Sequence, residues 1–230
     1  MKSSIAFILY CLLLLGLCAC AGKSSGTIEP QDTEAPGQTT DAPDTAEPSA
    51  TEQPENGSGV LVVFFSRTGE QYSVGVIEKG NTAIVAEMIA EKTGADTFEI
   101  LPETDYYPYT YNELTDIAKK EQSEKARPAI RGELPDLSQY DTIFIGAPVW
   151  WGDWPMIMYT FFENADLSGK KLVPFSTHEG SGLSGFDKKL ASAVPGAEVL
   201  TGQAFRGGDC QNDQSKVESS VSDWLNGLGY

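Results

Sequence analysis

Histidine is almost absent from this chain: His178 is the only one in 230 residues. Cysteine is scarce too, with Cys11, Cys18, Cys20 and Cys210. A metal enzyme built on His and Cys ligands therefore lacks its donor clusters. A serine hydrolase on an α/β sheet lacks its Gly-x-Ser-x-Gly elbow, because neither Ser181 nor Ser184 has glycine at both required positions. Positive charge is also short, with 16 Lys and Arg against 33 Asp and Glu and a net charge of −17. That balance excludes nucleic acid as a natural partner, since phosphates are bound by Lys and Arg. It equally opposes direct electrostatic adhesion to an anionic membrane. There is no internal repeat, and the apolar run at residues 5–17 is short for a transmembrane helix.

That run has the length of a signal-peptide core, preceded by the positive charge of Lys2. It ends in Leu17-Cys18-Ala19-Cys20, which resembles a bacterial lipobox, so residues 1–20 are expected to be a lipoprotein signal peptide with lipidation at Cys20. An ordinary signal peptide or a short anchor is the plainer alternative. Residues 21–58 are rich in Ser, Thr, Pro, Gly, Gln and acids, and nearly without large apolar side chains. Such a segment cannot offset its ordering entropy and is expected to be a disordered linker. It sets Lys23 against eight acidic residues, a net −7. As a coil it would span about 30–35 Å, lengthened by charge and proline. The expected location is outside the cytoplasm, with the membrane touched only through a lipid anchor.

Residues 59–230 carry −11 of the total charge and suffice for one domain with a sizeable core. With Cys20 lipidated and the leader removed, Cys210 has no internal disulfide partner. The domain alternates two periodicities. Strands are expected at 59–65, 96–101, 140–147, 171–177 and 198–205. Helices are expected at 83–92, 112–125, 155–164, 187–193 and 215–225. This alternation implies an α/β fold, a doubly wound five-stranded parallel sheet with helices on both faces. Ligands in such sheets sit beyond the carboxyl ends of the strands at the switch point.

Three segments at those ends stand out. After the first strand come Ser66-Arg67-Thr68-Gly69 and, eleven residues later, Asn81-Thr82 at the start of a helix. Hydroxyls and unpaired N–H groups at a helix N-terminus suit a phosphate. Asn81 and Thr82 are expected to cap the helix that they open. After the third strand comes Pro148-Val149-Trp150-Trp151-Gly152-Asp153-Trp154. Three tryptophans in a loop either cover the core or pack against a flat ligand. After the fourth strand comes Ser176-Thr177-His178-Glu179-Gly180-Ser181-Gly182, whose N–H groups could meet a heterocycle's edge.

Together these segments resemble the flavodoxin family, in particular flavodoxin-like domains of exported bacterial proteins. The resemblance covers residues 59–205. It implies the flavodoxin-like form of the doubly wound sheet, and it implies FMN as cofactor. It implies that Ser66, Thr68, Asn81 and Thr82 hold the phosphate, with Arg67 of the same loop among the cofactor-binding residues. It implies that Pro148, Val149, Trp150, Trp151 and Gly152 flank the isoalloxazine, with Thr177, His178, Gly180, Ser181 and Gly182 on its other side. The chain departs from the family in two places. Eleven residues, 70–80, split the phosphate motif, and they are expected to loop out on the flavin side, where Tyr72 could cover it. His178 stands where well-known members stack an aromatic ring. The expected function is electron transfer to a redox partner protein, or flavin-dependent reduction of a small acceptor such as a quinone. The alternative is a cofactor-free surface binding module. No side chain is singled out as catalytic.

Overall fold

The computed structural model describes residues 59–230. The expected signal peptide, the lipidation site Cys20 and the linker at 21–58 lie outside the described residues.

Strand β1 (Val60–Phe64) has all five residues buried. Its side chains alternate between two cores, Leu61 and Val63 in one, Val60, Val62 and Phe64 in the other. A strand covered on both faces has no polar alternation, hence the unbroken apolar run. Parallel to it lie β4 (Asp96–Glu99) on one side and β5 (Thr142–Pro148) on the other. Beyond β5 come β6 (Lys171–His178) and then β7 (Glu198–Val199) and β8 (Gln203–Arg206), both paired with β6. The order β4-β1-β5-β6-β7 reverses direction between β1 and β5, which makes their carboxyl ends the switch point.

Helices α2 (Tyr111–Glu124), α3 (Met156–Asn164) and α4 (Phe186–Ala193) feed the first core through Leu114, Ile157, Phe161 and Phe186. Helices α1 (Asn81–Thr93), α5 (Gly207–Asn212) and α6 (Gln214–Leu228) feed the second through Ile84, Ile89, Cys210 and Val221. Gly94 and Gly229, both left-handed at φ 66 and 92, end α1 and α6. Cys210 is fully buried, and burial, then Asp209, push its thiol up to about 12, so it is an inert core residue.

Besides helix α5, which was not among the expected helices, two features differ from the expected elements. The fifth strand is broken into β7 and β8, because between the Leu172↔Val199 and Phe175↔Gln203 pairs its register gains one residue. Pro174 of β6 lies at the break and has no N–H to donate to the ladder. Gly202 presses against it so closely that a Cβ there would lie 2.4 Å from the Pro174 carbonyl oxygen. The second difference is in residues 70–80. They form most of an antiparallel hairpin, β2 (Gly69–Gln71) with β3 (Gly75–Ile77), outside the main sheet.

Candidate functional site

The site begins where β1 meets α1. Gly80 is the N-cap of α1 and offers no side chain. The capping oxygen arrives instead from the end of the strand: the Ser66 hydroxyl accepts the backbone N–H of Ala83 at 3.0 Å. Ala83 is the third residue of the helix, where a capping hydroxyl ordinarily bonds. The approach requires glycine, since a Cβ on Gly80 would lie 2.1 Å from Ser66 Oγ and 2.7 Å from the Arg67 carbonyl oxygen. Asn81 does not cap the helix: its Oδ1 accepts from Gln211 Nε2 at 2.7 Å. Thr82 is buried, its hydroxyl 2.8 Å from that of Thr177 at the end of β6. The backbone N–H groups of Asn81 and Thr82 have no partner among the described residues. They point out of the positive end of a helix dipole.

Arg67 follows on the same wall. Its Nη2 donates to the carbonyls of Tyr107 (3.1 Å) and Pro108 (2.7 Å), and its Nη1 lies 3.5 Å from Asp105. Its Nε is buried with no partner among the described residues. An orphaned donor on a guanidinium is costly unless an acceptor comes to it.

The three tryptophans divide by role. Trp154 is fully buried and stacks on Phe186 at 3.6 Å, so it belongs to the core. Trp150 stands edge-on to Phe65 (5.4 Å) and Tyr107 (5.2 Å). Trp151 is 52% exposed and sits at φ 51, a costly backbone for a large side chain. Three contacts with α2 hold it there. Its Nε1 donates to the Thr115 carbonyl at 2.9 Å, its own carbonyl accepts from Gln122, and Lys119 lies 4.7 Å from its ring centroid.

Facing this loop is the end of β6. His178 Nδ1 accepts the Gly180 N–H at 2.8 Å. Burial lowers the His178 pKa, Glu179 opposing and Arg206 adding to the shift. Glu179 itself is spent on its neighbours, accepting from Gly208 N–H at 2.5 Å and pairing with Arg206 at 3.0 Å. The hairpin closes the third side. It is moored to α2 by Glu70, whose N–H donates to the Tyr109 carbonyl (2.9 Å) and whose carboxylate accepts the Tyr111 N–H (2.8 Å). Glu70 thus faces the start of α2. Tyr72 packs on Tyr111 with ring centroids 5.7 Å apart.

These walls enclose a cavity of about 260 Å³. It brings together Arg67, Asn81, Thr82, Pro148, Val149, Trp150, Trp151, Thr177, His178 and Ser181 from the sequence reading. Ser66 stands behind this wall as the helix cap, and Thr68 is exposed outside it. Gly152, Gly180 and Gly182 shape the adjoining turns with φ of 72, 132 and 61. Glu179, from the loop that follows β6, also lines the cavity, which further uses residues that the sequence reading did not assign to the site, namely Gln71, Val74 and a row on α2, Tyr111, Leu114, Thr115 and Ala118. Their i, i+3, i+4, i+7 spacing is a complete helical stripe and was a usable signal.

The sequence profile of the family described as flavodoxin matches residues 60–226. The chain belongs to the flavodoxin family. Among solved structures, a candidate flavoprotein of Bacteroides uniformis is 30% identical, with a TM-score of 0.60 over 74% of this chain and 99% of that one. A second, from Bacteroides eggerthii, is 29% identical, with a TM-score of 0.57 over 74% and 98%. A flavoprotein of Lactobacillus acidophilus, solved in complex with FMN, shares the fold at 23% identity and a TM-score of 0.52, over 67% and 96%. No curated protein matches the chain. In this flavodoxin-family domain the junction of β1 and α1 depends on a cap that Ser66 supplies to Ala83, 17 positions further along the chain. Ser66→Ala is therefore expected to lower stability by about 0.5–2 kcal/mol, the usual cost of a lost cap. Urea denaturation of both proteins checks it, and an unchanged midpoint would contradict the capping role.

Proposed function

We propose that the cavity binds FMN and that the domain serves redox chemistry, as an electron carrier or a flavin-dependent reductase. The observation that carries this reading is that the N–H groups of Asn81 and Thr82 at the helix N-terminus, and the Nε of Arg67 on the same cavity wall, have no partner among the described residues. Uncommitted donors at a helix N-terminus with a guanidinium nearby fit an anion. The remaining walls fit a planar ring: Trp150 and Trp151 on one side, Tyr72 and Tyr111 by the hairpin, His178 and Ser181 opposite. FMN joins those two chemistries in one molecule, and when bound it supplies one- and two-electron transfer. The complex of the Lactobacillus acidophilus flavoprotein with FMN supports the choice of cofactor.

In this reading, Ser66 fixes the helix start and Gly80 leaves room for that contact. Thr82 and Thr177 tie the helix to β6, and Arg67 supplies the one Lys or Arg charge among the described residues that line the cavity. One hydrogen bond to a charged phosphate is worth about 1.5–3 kcal/mol, or roughly 10–150-fold in affinity. Thr82→Ala and Ser66→Ala are each expected to weaken FMN by that order through a displaced helix start, the first by losing the tie to Thr177 and the second by losing the cap. Riboflavin lacks the phosphate and should be affected far less. Calorimetric titration of both ligands decides; equal losses for the two, or none, would place the phosphate elsewhere.

We further propose that a lipid on Cys20 holds the domain outside the cytoplasmic membrane. The support is the Leu17-Cys18-Ala19-Cys20 quartet followed by a polar, acidic tether. The redox partner in that setting would be a protein with a basic face, matching a domain of charge −11, or a small acceptor such as a quinone. Cys20→Ala should leave the membrane fraction. Wild-type protein that stays in the aqueous phase on detergent phase separation would contradict the anchor.

A further inference from the structure

The end of β6 puts the chain's only histidine in the cavity wall. Its orientation is not free. Nδ1 accepts the Gly180 N–H at 2.8 Å, closing a turn that needs the Gly180 φ of 132. A ring nitrogen that accepts carries no proton, so the neutral imidazole holds its hydrogen on Nε2. Nε2 has no protein partner among the described residues, and it is not sealed from solvent, a condition found there only at Arg67 Nε. The charged groups acting on this ring, Glu179 and Arg206, are paired with each other at 3.0 Å. His178 therefore presents one uncommitted N–H donor in a wall otherwise built of aromatic rings and loops.

We propose that His178 is a specificity-determining residue, whose Nε2–H donates to an acceptor atom on the edge of a bound heterocycle. This rests on the FMN reading and adds what reads the ring. The acceptor is a carbonyl oxygen or an unprotonated ring nitrogen, the two edge groups that an N–H donor can recognise. The turn makes the contact dependent on pH. Protonation adds a hydrogen to Nδ1, which then faces the Gly180 N–H donor to donor. The turn loses its bond and the imidazole leaves its place. Burial lowers the pKa, so the neutral, donating form persists to below the ordinary value of 6.5 and is lost as pH falls further.

Two measurements on the full chain test this. Histidine-selective ¹⁵N NMR sees one imidazole. Without ligand it should show the Nε2–H tautomer, with a titration midpoint below about 6.5. The Nδ1–H tautomer overturns the proposal whether or not flavin binds. The second measurement is riboflavin affinity against pH, for wild type and His178→Asn. Asparagine Oδ1 can accept from Gly180 N–H as Nδ1 does, but nothing replaces the Nε2 donor. The variant should bind roughly 2–12-fold more weakly near neutral pH, the range expected for one hydrogen bond. It should also lose the fall in affinity that wild type shows in acid. Equal affinity and equal pH profiles would overturn the role of His178 while leaving FMN binding intact. Failure of the wild type to bind either flavin would overturn the FMN reading and this proposal with it.

Discussion

The contact between the Ser66 hydroxyl and the Ala83 N–H is the constraint on which the site depends. Helix α1 begins at a glycine and has no capping side chain of its own. Four N–H groups at a helix start need partners, and supplying one of them from β1 fixes the distance between strand end and helix start. Once that distance is fixed, residues 70–80 have to loop away, and they do so as a hairpin that packs on α2 instead of on the sheet. The hydrogen bond between Thr82 and Thr177 adds β6 to the same frame. The N–H groups of Asn81 and Thr82 and the Nε of Arg67, which have no partner among the described residues, are therefore held in fixed positions.

The opposite requirement, a rigid apolar wall, is met around Tyr107. Its carbonyl accepts from Arg67, its ring stands edge-on to Trp150 and Phe65, and its hydroxyl donates to Glu121 at 3.2 Å. Tyr106 donates to the other oxygen of the same carboxylate. Glu121 is buried without a basic partner among the described residues, and burial raises its pKa while the two phenols oppose the shift. Paired phenols are the means by which a carboxylate stays in such a place. The cluster braces the loop that carries both the Arg67 acceptors and the face of Trp150, so the polar and aromatic halves of the site share one support.

Most of the fold was legible in the sequence because buried parallel strands write themselves as unbroken apolar runs. Val60–Phe64 and residues 143–147 show this directly. The split of the fifth strand was not legible, because its cause lies in Pro174 on a neighbouring strand. The hairpin at 70–80 was expected to loop out, but its strand pairing rests on two three-residue segments, too short to show an alternation. At the site, residue types identified the three loops, whereas the division of labour among them did not follow. Thr68 and Ser66 share a motif, yet one is exposed and the other is a helix cap. Trp154 reads like Trp150 and Trp151 in sequence, and only packing against Phe186 separates it. The helix expected at 112–125 carries a stripe that serves the cavity as well as the core.

The central claim is that the β1–α1 junction encloses a phosphate. ³¹P NMR of FMN added to the protein tests it most directly. A free phosphate monoester changes charge with a second pKa of about 6. Bound among the N–H groups of Asn81 and Thr82 and beside Arg67, its resonance should move from the free position and cease to titrate across that range, with the dianion retained. A ³¹P signal that titrates as in free FMN, while the ring absorption shows the flavin to be bound, would contradict the account.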